Sequence, residues 1–339
     1  MKKILTAIQQ YLKDGKDVVL ASVIAADGST PRGTGAKMVV LADGSTSGTI
    51  GGGAVEYAAT QQAVAVHQSR EPVARGYDLS ANDRANLGMI CGGQTTVYYQ
   101  YFSAADPEAV AMFDQAASVA GQDVDAWLVS EIADGGVAAT GIYIDGEMRF
   151  GDIDPRAIEE YCGPQSVLTK GNPAYYVEPI ARKGRVYVFG GGHVSQALVP
   201  ELSRVEFSCV VFEERERFLT QECFPDAVER IHGDFKDIGR KVSIGPSDYV
   251  VIMTRGHMAD YEVVEQALAT PATYVGLIGS HRKFGTTVDR LHVAGFDDTD
   301  IARIHNPIGL DILAETPAEI AVSVAAEMIR HRAEHRRRA

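Results

Sequence analysis

The feature that most restricts how this chain folds is the run from Arg185 to Leu202. Val186-Tyr187-Val188-Phe189 is apolar at successive positions. A strand with no polar face is covered on both sides, as strands of parallel sheets are. Gly190-Gly191-Gly192 follows at once, and the residues from His193 to Leu202 read as a helix. Ser208–Phe212, Tyr249–Thr254 and Tyr274–Ile278 are further apolar strands, with helical stretches such as Tyr261–Leu268 between them. Strands alternating with helices give a parallel sheet wrapped by helices, the doubly wound α/β class. Such a sheet carries its ligands at the carboxyl ends of its strands.

The glycine turn suggests what kind of ligand. Gly190 allows the tight bend, and Gly192 lets backbone approach a phosphate on the N-terminus of the helix that starts at His193. Ser195 takes the position where a third glycine is usual. Glu213 closes the next strand, where a carboxylate binds a ribose hydroxyl and favours NAD over NADP. Two more polar turns end later strands: Thr254-Arg255-Gly256-His257 and Gly279-Ser280-His281-Arg282-Lys283. Arg255, Ser280, Arg282, His193 and His257 are therefore expected to gather at one sheet edge. The structural alternative is a set of tight βα turns with satisfied histidines and no ligand.

The first half has no such rhythm and reads as α+β. Residues 1–13 form a helix by their spacing, and Val18–Ala25, Lys37–Leu41, Gln94–Phe102, Ala126–Ile132 and Val137–Ile144 read as strands. Two glycine-rich segments stand out, Gly28-Ser29-Thr30-Pro31-Arg32-Gly33-Thr34-Gly35-Ala36-Lys37 and Thr49-Ile50-Gly51-Gly52-Gly53. Exposed amides at Gly51, Gly52 and Gly53, with Arg32 or Lys37 beside them, suit a phosphate. Two tight turns without a ligand explain the same residues. Met89-Ile90-Cys91-Gly92-Gly93 sets a thiol among small neighbours, which leaves it accessible; a buried inert cysteine is the alternative. The glycines and prolines of 166–184 read as a linker, so the expected domains are residues 1–165 and 185–339.

Net charge is −13, which argues against a nucleic-acid partner. Four scattered cysteines form no CxxC pair, so no metal site is expected. Neither a leader nor an apolar run of about 20 residues is visible, which implies a cytoplasmic protein that does not enter membranes. Thr316, Pro317 and Glu319 announce the capped start of a last helix.

Taken together, GSTPRGTGAKM, GTIGGGAVE, MICGG, FGGGHVSQAL, DYVVIMTRGH, YVGLIGSHRK and HNPIGLDI followed by ETPAEIAVSVAAE resemble the XdhC/CoxI family, the xanthine dehydrogenase accessory factors. The resemblance implies an N-terminal XdhC/CoxI domain and a C-terminal Rossmann-type domain. It implies binding and protection of sulfurated molybdenum cofactor (molybdopterin), and its delivery to a xanthine dehydrogenase-type apoenzyme. A cysteine desulfurase and a homodimer enter as expected partners. Cys91 matches the cysteine associated with the cofactor, and Gly190, Gly192 and His193 match the glycine turn. The chain departs from the family pattern at Arg255, His281, Glu213-Glu214-Arg215 and Leu313. On this reading the chain is a maturation factor rather than an enzyme. An NAD(P)-dependent oxidoreductase with His257 or His193 as acid/base, and a non-catalytic nucleotide-sensing module, are the alternatives.

Overall fold

The computed structural model describes residues 1–78, 93–133 and 136–338. The chain divides into two compact units, Met1–Arg182 and Lys183–Ala339.

The first unit holds two antiparallel sheets. Helix α1 (Lys2–Lys13) precedes β1 (Val18–Asp27), β2 (Lys37–Val40) and β3 (Thr46–Thr49). Helix α2 (Gly53–Ser69), β4 (Val73–Asp78) and β5 (Gln94–Phe102) follow, completing a sheet of order β3-β2-β1-β5-β4. After helix α3 (Pro107–Val119) come β6 (Ala126–Ala133), β7 (Gly136–Ile144), β8 (Glu147–Phe150), β9 (Val167–Leu168) and β10 (Ala174–Ala181). These form the second sheet, β8-β7-β6-β10-β9.

Alternation along β1 shows why both of its faces are apolar. Val18 and Leu20 join a core with Leu5, Ile8 and Leu12 of α1, Met112 and Phe113 of α3, and Leu128 and Ile142 of the second sheet. Val19, Ala21 and Val23 point the other way, onto Val55, Ala59 and Ala63 of α2. The expected linker at 166–184 is corrected here. Residues of β9 and β10 pair in the second sheet, with Val177 opposite both Val129 and Val167. Gly171 and Pro173 serve the turn between these strands. The division falls at Arg182, beyond the last strand.

The second unit follows the anticipated rhythm. It runs β11 (Arg185–Phe189), α4 (His193–Arg204), β12 (Ser208–Glu213), β13 (Glu229–His232), β14 (Tyr249–Ile252) and α5 (His257–Leu268). Then come β15 (Tyr274–Leu277), α6 (His281–Val293), α7 (Asp298–Ile301), β16 (Ile304–His305) and α8 (Pro317–Arg338). Its six strands lie in the order β13-β12-β11-β14-β15-β16, with every pairing parallel. Tyr187 and Phe189 pack on α5, while Val186 and Val188 pack on α4 and α8. The order reverses between β11 and β14, so a crevice is expected outside those two carboxyl ends.

Local signals hold as well. Thr316 and Glu319 cap each other's backbone, with Glu319 N donating to Thr316 Oγ1 at 3.3 Å and Thr316 N to Glu319 Oε2 at 2.9 Å. Cys209 is fully buried on β12, and burial pushes its thiol up to about 12. No helix among the described residues is long and apolar enough to cross a membrane.

Candidate functional site

The glycine turn of the second unit lies where the strand order reverses. Gly190 has φ +112°, and a Cβ there would meet the Met253 carbonyl oxygen at 2.2 Å. Only glycine lets β11 leave the sheet so close to the end of β14. Gly191 is closed in by Phe218, whose Cβ would stand 3.0 Å from a Cβ on Gly191. Gly192 differs from both, because a Cβ there would meet nothing within 4 Å. It caps α4 and, as a glycine, brings no side-chain cap to that helix's first turn. Uncapped amides beside open space, at the positive end of a helix dipole, can take a phosphate.

Glu213 stands beside this turn, but its expected role is corrected. It is 1% exposed and accepts from Gly191 N at 2.7 Å. Arg215 supplies the rest of its partners: backbone N at 3.0 Å, Nε at 2.8 Å and Nη2 at 3.0 Å. A carboxylate offers about four acceptor positions, and these four donors fill them. Burial raises its pKa, but the hydrogen bonds from Arg215 and Gly191 outweigh that and hold the carboxyl below its ordinary value. Glu213 therefore anchors the glycine turn and has no acceptor left for a ribose.

The neighbouring turns bring their polar residues to the same edge. Asp260 accepts from Thr254 N at 3.1 Å and from Thr254 Oγ1 at 2.6 Å, which fixes the turn carrying Arg255. His257 and Asp260 line a small recess, open to solvent, together with Gly279, Phe284, Thr287 and Asn306. Asn306 Nδ2 donates to the carbonyls of Leu277 and Gly279 at 3.0 and 3.3 Å, and so holds the end of β15. Its Oδ1 is buried without a partner. Helix α6 begins at Ser280 with no side-chain cap and no acidic residue in its first turn. His193, Arg255, His257, Ser280 and Arg282 are all exposed at these turns. Cations at a helix N-terminus oppose its dipole, so a bound anion would relieve them.

The first unit treats its turn differently. Gly51, Gly52 and Gly53 have φ values of +139°, +76° and +63°. The carboxylate of Glu56, in the first turn of α2, reaches back to accept from Ile50 N at 3.1 Å, Gly52 N at 3.0 Å and the Thr49 hydroxyl. The phosphate expected at Gly51–Gly53 is thus replaced by an internal anion. Lys37 is corrected too. Its Nζ is buried, 2.6 Å from Glu178 and 3.0 Å from Ser22 Oγ, and lies over the Tyr176 ring at 5.3 Å. Burial pushes the Glu178 carboxyl up, against the pull of Lys37. Arg32 stays exposed in its loop. Gly93 packs against Asp27 and Ser29, but Cys91 lies outside the described residues.

Phe218, Asp260, Asn306 and Glu56 were not singled out by sequence, and Arg215 was named there without a role. Only Arg215 carried a signal, an arginine two residues beyond a carboxylate that ends a strand.

Strand order and glycine turn define a Rossmann-type domain, here joined to an α+β unit. The chain belongs to the XdhC and CoxI family: residues 186–328 match the XdhC Rossmann domain, and residues 11–78 match the XdhC and CoxI family. It is 24% identical to a Bacillus subtilis protein named as a probable xanthine dehydrogenase subunit, covering 96% of this chain and 97% of that protein. It is 21% identical to the molybdenum cofactor insertion chaperone PaoD from Escherichia coli, covering 96% and 87%. Escherichia coli YqeB, an uncharacterized protein, is 26% identical over 91% of this chain, which spans 42% of YqeB's length. A crystal structure described as a xanthine dehydrogenase from Bacillus halodurans superposes with a TM-score of 0.79 at 26% identity, covering 96% of this chain and 95% of that one.

Proposed function

We propose that this protein is an accessory factor for a xanthine dehydrogenase-type molybdoenzyme, which binds molybdenum cofactor, guards its sulfurated form and hands it to the apoenzyme. The observation that carries this reading is relatedness along nearly the whole chain, 96% of it, to a protein named as a molybdenum cofactor insertion chaperone. The open glycine turn supports it. A phosphate-bearing ligand fits the amides that follow Gly192, and Arg255, His257, Ser280 and Arg282 flank the same edge. Bound there, the cofactor would supply a phosphate for the amides and a molybdenum centre whose chemistry belongs to the client enzyme. The chain's own task is to hold and release. Cys91 is the thiol assigned to retention, on the family resemblance of its segment. A cysteine desulfurase as sulfur donor and a homodimer belong to the same reading.

The test is cofactor analysis of the purified protein, by fluorescence of oxidised pterin and by molybdenum content. Wild type should carry pterin, and Cys91→Ala should carry several-fold less at unchanged thermal stability. Equal retention by the two would remove the role of Cys91, and absence of pterin from both would remove the function. The Rossmann strand order also favours a second reading, an NAD(P)-dependent oxidoreductase with His257 or His193 as acid/base. Substrate-dependent formation of reduced nicotinamide nucleotide would promote it.

A further inference from the structure

The carboxylate that ends β12 tells one more thing about the ligand. In a Rossmann domain a carboxylate here binds the ribose hydroxyls and repels a phosphate on that ribose. Glu213 can do neither, because all its acceptor positions are filled and a bidentate arginine offsets its charge. What the turn presents outward is a pair of guanidinium groups, beside the exposed carboxylates of Glu214 and Glu216. The Arg215 guanidinium lies 4.2 Å from the centre of the Phe218 ring, and that of Arg217 lies 4.9 Å from the same ring. Phe218 in turn packs on Gly191, which ties both guanidinium groups to the lip of the glycine turn. Arg215 is 30% exposed. A guanidinium has five N–H donors, and Glu213 engages only its Nε and Nη2.

Two other carboxylates belong to this segment. Glu214 is exposed, and its Oε1 accepts from Phe235 N at 3.1 Å, on the side of β13. Glu216 is exposed in the turn itself. The Glu214 charge acts on Arg215 alongside that of Glu213, and a planar guanidinium stacked on an aromatic ring is pre-organised for a phosphate.

We propose that the subsite at the end of β12 recognises a phosphate monoester on the ribose of a bound nucleotide, with Arg215 and Arg217 as its ligands. The inference rests on the second reading of the function, in which the glycine turn of the second unit holds a dinucleotide. It reverses the NAD preference that Glu213 implies in the sequence, since a dinucleotide with a ribose phosphate is now the favoured class.

Titration calorimetry of the full chain with NADP⁺ and with NAD⁺ tests it. NADP⁺ should bind tighter by about tenfold to hundredfold, the range of one or two charge-assisted hydrogen bonds. Arg217→Met and Arg215→Met should each narrow that ratio. Because Arg215 also holds Glu213, thermal unfolding must show its variant folded, and Arg217→Met stands as the independent variant. Equal or tighter binding of NAD⁺, or a preference that survives in both folded variants, overturns the phosphate subsite and leaves nucleotide binding intact. Failure of both dinucleotides to bind removes the nucleotide reading itself, and this inference with it.

Discussion

Gly51–Gly53 and Gly190–Gly192 look alike as strings, each a glycine triplet just ahead of a helix, yet the fold gives them opposite roles. In the first unit all three glycines take left-handed φ, and the amides of Ile50 and Gly52 close on Glu56 while that of Gly51 donates to Thr49 Oγ1. In the second, Gly190 has φ +112°, Gly192 has φ −73°, and the internal carboxylate takes the amide of Gly191. The distinction comes from where the carboxylate sits. Glu56 is in the first turn of its own helix, so it folds back on the bend before it. Glu213 comes from the neighbouring strand and reaches the turn from the side, leaving the start of α4 uncapped. A glycine turn is an anion site only where the protein has not supplied the anion.

Breaking the comparison begins with Lys37, which in sequence belongs to the first unit's glycine-rich loop. If that region is structural, Lys37→Met strands the buried Glu178 and costs about 3 kcal/mol or more, read by chemical denaturation. Little loss of stability would mean that Lys37 is free to serve a ligand.

Glu56→Ala tests the turn itself and should cost about 2 kcal/mol at pH 7, because part-buried amides lose a charged acceptor. Burial raises the pKa of Glu56, but hydrogen bonds from Thr49, Gly52, Ile50 and Gly51 bring it below its ordinary value. A carboxylate with a lowered folded pKa stabilises above its unfolded pKa of about 4.3. That contribution disappears as pH falls through the folded value. The gap between wild type and Glu56→Ala should therefore close in acid, and a gap that stayed constant with pH would refute the charge-based account.

The smallest effect on stability should come from Gly192→Ala. Its φ is ordinary and its Cβ would enter open space, so the cost is that of an N-cap exchange, under about 1 kcal/mol. Cofactor retention should fall all the same, since the methyl group occupies the approach to the first-turn amides. Thermal unfolding alongside pterin analysis checks both halves, and a stable variant with undiminished cofactor would move the ligand elsewhere.

Much of the second unit was legible in the sequence because its signals are local. Strands buried on both faces read as apolar runs, Gly190 marks a bend, and Thr316 with Glu319 marks a helix start. The first unit was harder. Val167–Leu168 and Ala174–Ala181 lie among glycines and prolines that look like a linker, and only their pairing in the second sheet makes them strands.

Periodicity, turn chemistry and the parallel rhythm after Arg185 were set by the sequence alone, because each depends on residues close together in the chain. Tertiary structure decided which charged groups remain available to a ligand. Lys37 meets Glu178 from a strand in another sheet, and Glu213 meets Gly191 across a parallel pairing. Whether a charge is consumed or presented depends on which partner arrives beside it, and that partner is fixed only when distant strands pack.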